Sequence, residues 1–307
     1  MISAGGMCRC GCGSGPCGCC HEQPIIGAVG VRLRSAAPVL AVSALALVAV
    51  TSASAETPAQ IVAKLDAQRV ANGIPGGIKL DPAGSQGCAA HLRYEQLNGI
   101  TFSHTESPGK PGYSKAGQAA ASEADLADAG GWESGDPFES LPLHLSNLLE
   151  PRLATIGAAE LGARTCVTLT LGYTRTFAAD KVFTYPGPGG RVPTSETVHG
   201  EQPFAPGDLV GLPQGRTTGP TIYVFAVGPW VATAPLAVTS AHVTGPGGPV
   251  ELKIVDLHKF PELTTYAPSG SAFLIPVSPL RPGRYSASVT LAAGGTTMSR
   301  RWQFTAG

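Results

Sequence analysis

After Tyr173 the chain changes character, and that change limits its architecture more than any other feature. Upstream, apolar residues recur every three or four positions and helix caps can be read. Downstream, short alternating or β-branched segments are separated by Gly/Pro turns, with no helical periodicity between them. The junction is the turn-rich run Tyr185-Pro186-Gly187-Pro188-Gly189-Gly190. The expectation is an α+β domain at 56–178, a linker at 179–195 and an all-β domain at 196–307. With 40 Gly and 27 Pro among 307 residues, and only 14% charged residues, a helical bundle or coiled coil is a poor fit. An apolar content of 43% is too high for general disorder.

In the first half, Thr57-Pro58-Ala59-Gln60 is a helix start: Thr57 caps, Pro58 suits the first helical position, and Gln60 completes a capping box. That helix should end near Asn72-Gly73. A second is expected from Pro82 to Asn98, closed by Gly99, with Cys88, His91, Leu92 and Glu95 on one face. His91 and Glu95 are expected as an exposed or half-buried pair. Residues 102–131 read as loop and short helix. Asp136-Pro137-Phe138-Glu139 is another N-cap signature, but Pro142 breaks that turn, so a fresh helix should run from Pro142 to about Glu150. Arg164–Leu171 reads as a strand carrying Cys166.

In the second half, strands are expected at Thr221–Val227, Leu236–Val243, Val250–Leu257, Ser271–Pro276, Arg284–Leu291 and Arg300–Phe304. The turn at Pro279–Gly283 leads into an alternating strand, and the whole pattern suggests an immunoglobulin-like sandwich. Trp132, Trp230 and Trp302 read as core or interface anchors; His199, His242 and His258 have no special role.

Residues 32–55 read as an export signal. Arg32 and Arg34 supply positive charge, Pro38–Val50 an apolar core, and Ala53-Ser54-Ala55 a small-x-small cleavage site before Glu56. The apolar run Val39–Val50 falls short of the about 20 residues a spanning helix needs. The mature chain is therefore expected to be secreted, extracellular or wall-associated, with no integral membrane span. Cys8, Cys10, Cys12, Cys17, Cys19 and Cys20 precede the signal. Such spacing suits soft metals, but an export signal normally begins near the translation start, so translation is expected near Val29 or Val31, with 1–28 outside the protein proper. The mature chain keeps Cys88 and Cys166, and two cysteines in an exported chain point to one disulfide.

Lys plus Arg equals Asp plus Glu at 21 each, so no global basic field would attract nucleic acid. HExxH, G-x-S-x-G, a P-loop and a strand-borne G-x-G-x-x-G are all missing, which leaves zincin, serine-hydrolase and nucleotide-binding readings without motif support. His91, His104 and His144 lie between the two cysteines among several acids, a composition suited to a divalent ion or to acid–base work.

Over about residues 60–175 the chain resembles the CAP superfamily (SCP-like: cysteine-rich secretory, antigen 5 and pathogenesis-related proteins). The likeness rests on Leu65-x-x-Gln68-Arg69, Cys88-Ala89-Ala90-His91, Leu97-Asn98-Gly99, Phe102-Ser103-His104-Thr105, Pro142 to Leu149 and Ile156-Gly157. It implies an α-β-α sandwich whose cleft carries two His and two Glu, which in some members hold a divalent cation. His104 and His144 match the two cleft histidines. Glu123 falls near the first glutamate, though the flanking Gly and Asn are missing, and a rival register puts Gln118 there. Glu139 is the candidate for the second acid. The family's G-H-R is Leu143-His144-Leu145 here, without the Arg.

The expected function is a secreted CAP-like protein whose His/Glu cleft binds a small apolar ligand, lipid, peptide or divalent metal such as Zn²⁺ at the cell envelope, without established catalysis. The alternatives are a metal-assisted hydrolase using the same cleft, and a structural or adhesive envelope protein.

Overall fold

A computed structural model describes residues 55–307, except 129, 170, 171 and 233. The Cys-rich stretch and the export signal through Ser54 lie outside the described residues. Helix α1 (Pro58–Ala71) opens on the expected capping box: the Gln60 N–H donates to Thr57 Oγ1 at 3.3 Å and the Thr57 N–H to Gln60 Oε1 at 2.9 Å. Its buried face is Ile61, Val62, Leu65 and Arg69. After strand β1 (Lys79–Leu80), helix α2 (Pro82–Asn98) is capped by Asp81 and closed by Gly99 at φ 62°, the left-handed geometry glycine adopts without strain. Helix α3 (Lys115–Ala121) leads into strand β2 (Ala124–Ala127), and helix α4 (Pro142–Leu149) into strands β3 (Thr155–Leu161) and β4 (Arg164–Thr168). These strands form one sheet in the order β1-β3-β4-β2, with β1 parallel to β3 and the other pairs antiparallel.

Helix α2 lies on this sheet through a close glycine crossing. A Cβ on Gly157 would meet Gly84 C at 2.4 Å, so bare backbone is needed there. The crossing also brings Cys88 of α2 to Cys166 of β4, and they form the expected disulfide, with Cα atoms 5.4 Å apart, inside a small apolar cluster with Leu92, Leu126 and Ala159.

The second half is mostly sheet. Its strands are β5 (Lys181–Tyr185), β6 (Arg191–Val192), β7 (Glu196–Thr197), β8 (Thr217–Thr218), β9 (Ile222–Val227), β10 (Ala237–Gly245), β11 (Gly248–Pro249), β12 (Leu252–Asp256), β13 (Ser271–Pro276), β14 (Gly283–Ala293) and β15 (Thr296–Ala306). All six expected strands are present. They belong to a five-stranded sheet, β11-β10-β14-β15-β6, and a four-stranded sheet, β12-β13-β9-β5, with β7 and β8 paired separately. The two large sheets share one core in a sandwich-like pair. Strand β14 alternates, burying Tyr285, Ala287, Val289, Leu291 and Ala293 while its intervening residues are more exposed. Strands β9 and β13 do not alternate: every residue is buried, so both faces of their sheet are covered. The second face packs toward the helical half, and one apolar cluster runs from Ile61 and Leu145 through Tyr223 and Phe273 to Phe304. Trp132, Trp230 and Trp302 are all buried in it.

Three expectations need correction. The stretch 179–195, read as linker, contains β5 and β6, and its glycines serve close contact: the Gly187 N–H donates to Asn72 Oδ1 at 2.7 Å, and a Cβ on Gly187 would meet Asn72 O at 2.0 Å. Asp136 does not start a helix; its Oδ1 accepts the Phe138 N–H in an isolated turn that ends before Pro142. His91 and Glu95 are not a surface pair but are 0% and 2% exposed, because Glu106 folds back over them. Among the described residues there are four α-helices and several sheets, an α+β arrangement in which the C-terminal part is mainly β.

Candidate functional site

A cavity of about 670 Å³ opens where α4, the start of β2 and the loop after α2 meet the 202–203 and 265–268 segments of the β half. His104, Glu123 and His144 all line it, so three of the four expected cleft residues are brought to one hollow. Asp125, Asn147, Arg152, Tyr173 and Tyr266 line it as well.

The loop that carries His104 is pinned by buried acids. Glu95 Oε1 accepts the Ser103 N–H at 2.9 Å, and Glu106 Oε2 accepts the Ser114 N–H at 2.9 Å. Glu106 Oε1 lies 3.1 Å from His91 Nδ1, and Glu95 Oε1 3.5 Å from His91 Nε2. Burial alone would lower the His91 pKa, but bonds to Glu95 and Glu106 outweigh it and raise it. Burial would raise Glu95, yet His91 and the Ser103 amide bring it below its ordinary value. Glu95 and Glu106, gathered around His91, thus hold both ends of the segment 103–114. Within that segment, His104 Nδ1 lies 2.8 Å from Ala121 O. A carbonyl can only accept, so Nδ1 carries the proton in this bond.

His144 is held from the other half of the molecule. Helix α4 begins Leu141-Pro142 and has no side-chain cap of its own. Glu201 supplies one across 58 residues of chain: its Oε1 accepts the Leu143 N–H at 2.9 Å and lies 2.8 Å from His144 Nδ1. Phe138 stacks on the His144 ring, with centroids 6.0 Å apart. Asp125 is buried nearby; its Oδ1 accepts from Asn147 Nδ2 at 3.3 Å, while its Oδ2 has no partner. Burial pushes Asp125 up to about 7, against the opposing pull of His144 and Asn147. For His144, burial would lower the pKa, but the Glu201 bond and the Asp125 charge raise it. Sequence reasoning missed Glu201. The one available signal was the uncapped Leu-Pro start of α4, which requires an acceptor from elsewhere without naming it.

The signs of these two shifts agree. A raised His144 contributes stability at low pH that is lost as pH climbs through its folded pKa; a raised Asp125 costs stability increasingly between about pH 4 and about 7. Melting temperature should therefore fall between pH 6 and 8, and His144→Gln should flatten that slope. A slope unchanged in the variant would show that other groups carry it.

Glu139 does not join the cleft. The turn at 136–140 directs it to a separate pocket with Asp136, Tyr185, Glu196 and Tyr223. The metal expectation fares accordingly. Both cavity histidines have Nδ1 engaged, which is how a ligating imidazole is oriented, but a third donor is missing: among the described residues no group of three or more His, Cys, Asp or Glu is placed to hold a metal ion. The residues present do not fit the divalent-ion site that the resemblance implies. Among the described residues, no helix is long and apolar enough to cross a membrane. His199, His242 and His258 are exposed in the β half, away from the cavity.

No protein-family model matches the chain, and no curated protein matches it. Among solved structures, it matches selenomethionine PcoC, a copper resistance protein from Escherichia coli, at 15% identity, covering 40% of this chain and 95% of that one with a TM-score of 0.24. A second structure, described as PcoC, a methionine-rich copper resistance protein from Escherichia coli, matches at 14% identity, covering 40% of this chain and 93% of that one with a TM-score of 0.25. Matches that loose bear on neither the fold nor the function of this chain.

Proposed function

We propose that this chain is an exported, CAP-like binding protein whose cavity takes a small amphipathic ligand, a lipid or a short peptide, at the cell envelope, and that its β half is an immunoglobulin-like module completing the cavity wall. One observation carries the reading: His104, Glu123 and His144, far apart in the chain, line a single cavity of about 670 Å³, within the size range of small-molecule sites. Its rim suits an amphipathic guest. Tyr173 and Tyr266 are large, partly exposed side chains on the lining, and Arg152, its Nε paired with Glu150 Oε1 at 2.7 Å, adds polar N–H groups beside them. That no group of three or more His, Cys, Asp or Glu among the described residues is placed to hold a metal ion favours binding over a metal-assisted hydrolase.

The test is fluorescence titration of the purified protein with a dansylated fatty acid and a dansylated tripeptide. One of them should give a saturable rise, and Gln202→Trp at the exposed rim should weaken it about tenfold by filling the mouth. No saturable rise with either probe, or a rise untouched by Gln202→Trp, would remove the reading. Turnover of an ester or peptide that disappears in His144→Gln would replace it with a hydrolase.

A further inference from the structure

A second pocket, of about 270 Å³, lies between the 136–140 turn and strands β5, β7 and β9, separate from the cavity above. Three carboxyl groups line it, Asp136, Glu139 and Glu196, together with the rings of Tyr185 and Tyr223, and no Lys, Arg or His is among its lining residues. The mouth is accessible: Glu139 and Pro193 are exposed. Its floor is not, since Tyr185 and Tyr223 are 6% and 1% exposed, their rings meeting edge to face with centroids 5.8 Å apart.

One polar atom at this pocket has no partner: Tyr223 Oη is buried and unbonded. Leaving such an atom unpaired costs free energy, and a pocket that holds it awaits a ligand. Carboxylates set against aromatic rings are the surroundings that organic cations favour: the acids neutralise the charge and take its N–H groups, while the rings offer their negative faces. We infer that this pocket is a binding site for an organic cation with an ammonium or guanidinium head, held by Asp136, Glu139 and Glu196 over Tyr185 and Tyr223.

Burial raises the pKa of all three acids, which favours their protonated forms. Burial pushes Glu196 up to about 7, with Glu139 and Glu201 adding to the rise and a hydrogen bond from Thr221 opposing it. Burial pushes Asp136 up to about 6, with Glu139 adding and the Phe138 amide opposing, and burial raises Glu139 too. An arriving cation must displace those protons, so binding should strengthen with pH and release protons.

The experiment is calorimetric titration of the full-length chain with n-butylguanidinium and n-butylammonium, with n-butanol as the neutral control. One cation should bind saturably, about tenfold or more tightly at pH 8 than at pH 5.5, with proton release visible as a buffer-dependent heat. Glu196→Gln and Glu139→Gln should each weaken it about tenfold, and Tyr223→Phe by about threefold. Glu196→Gln keeps the acceptor that Thr221 uses and removes a poorly solvated charge, so its melting temperature at pH 8 should rise while binding is lost; Glu139→Gln, at an exposed position, provides an independent reading if it does not. A Gly-Arg-Gly amide separates the sources: binding more than about tenfold tighter than butylguanidinium marks a protein side chain as the natural guest, and equal or weaker binding marks a free amine. No saturation by either cation up to about 20 mM, equal binding of n-butanol, or cation binding unaffected in Glu196→Gln and Glu139→Gln would overturn the assignment.

Discussion

Replacing Arg69 with methionine should lower the unfolding free energy by about 3–5 kcal/mol, with the urea midpoint shifting and the slope little changed. Arg69 is completely buried, and its guanidinium is a hub for carbonyl groups. Its Nε and Nη2 donate to Pro75 O at 3.1 and 3.0 Å, Nη1 to Leu148 O at 2.6 Å and Glu150 O at 3.0 Å, and Nη2 to Leu153 O at 3.4 Å. It therefore joins the end of α1, the turn at Pro75 and the carbonyl-rich exit of α4. Burial, with Arg175 alongside, lowers its pKa to about 10, still high enough to keep the charge at neutral pH. Methionine fills much of the space but strips Leu148 O and Leu153 O of their donor in a dry interior, where each costs about 1–3 kcal/mol, while Pro75 O keeps Arg175 Nη1 and Glu150 O keeps the Leu153 N–H. Arg69→Lys should recover only part of the loss, because a point ammonium cannot reproduce a planar fork. Urea unfolding followed by far-ultraviolet circular dichroism checks it; a loss under about 1 kcal/mol would mean water enters to replace the fork.

The Cys88–Cys166 bridge carries an effect of similar size. It closes 78 residues, for which the chain-entropy account gives about 4 kcal/mol. The Cys88→Ala/Cys166→Ala double variant should melt about 10 °C lower. Both sulfur-bearing residues are 0% exposed, so a mild reductant should leave the native bridge intact until denaturant opens the fold. Thiol titration with and without urea separates the two states. Immediate reduction in native buffer would show that α2 separates readily from β4.

What could be read from the sequence was local or forced by scarcity. Thr57 and Gln60 specify the start of α1 within four residues, and Gly99 closes α2 for the same reason. The disulfide followed because only two cysteines remain after the expected export signal. Strands such as Ser271–Pro276 announced themselves by composition. The cavity was half legible: His104, Glu123 and His144 meet there, but Asp125 and Glu201 went unnamed. Asp125 looks like any polar residue in a short strand until burial is known. Glu201 sits between Gly200 and Gln202 with no pattern around it, and acquires meaning only when α4 arrives. His91, Glu95 and Glu106 failed differently. Helical spacing placed His91 with Glu95, but burial came from Glu106, which the loop returns from outside the helix. The glycines of 187–190 read as slack because Gly marks both looseness and close approach, and composition does not distinguish them.

The cavity wall is divided between the two halves: α4 and the His104 loop on one side, residues 202–203 and 265–268 on the other. Whatever lodges there touches segments more than a hundred residues apart and works as a brace. Its binding energy adds to cohesion across the whole chain, growing by about 1.4 kcal/mol for each tenfold excess over its dissociation constant. Heat resistance of the protein as extracted from its surroundings would then report occupancy, and the free and loaded forms would differ in lifetime before they differed in shape.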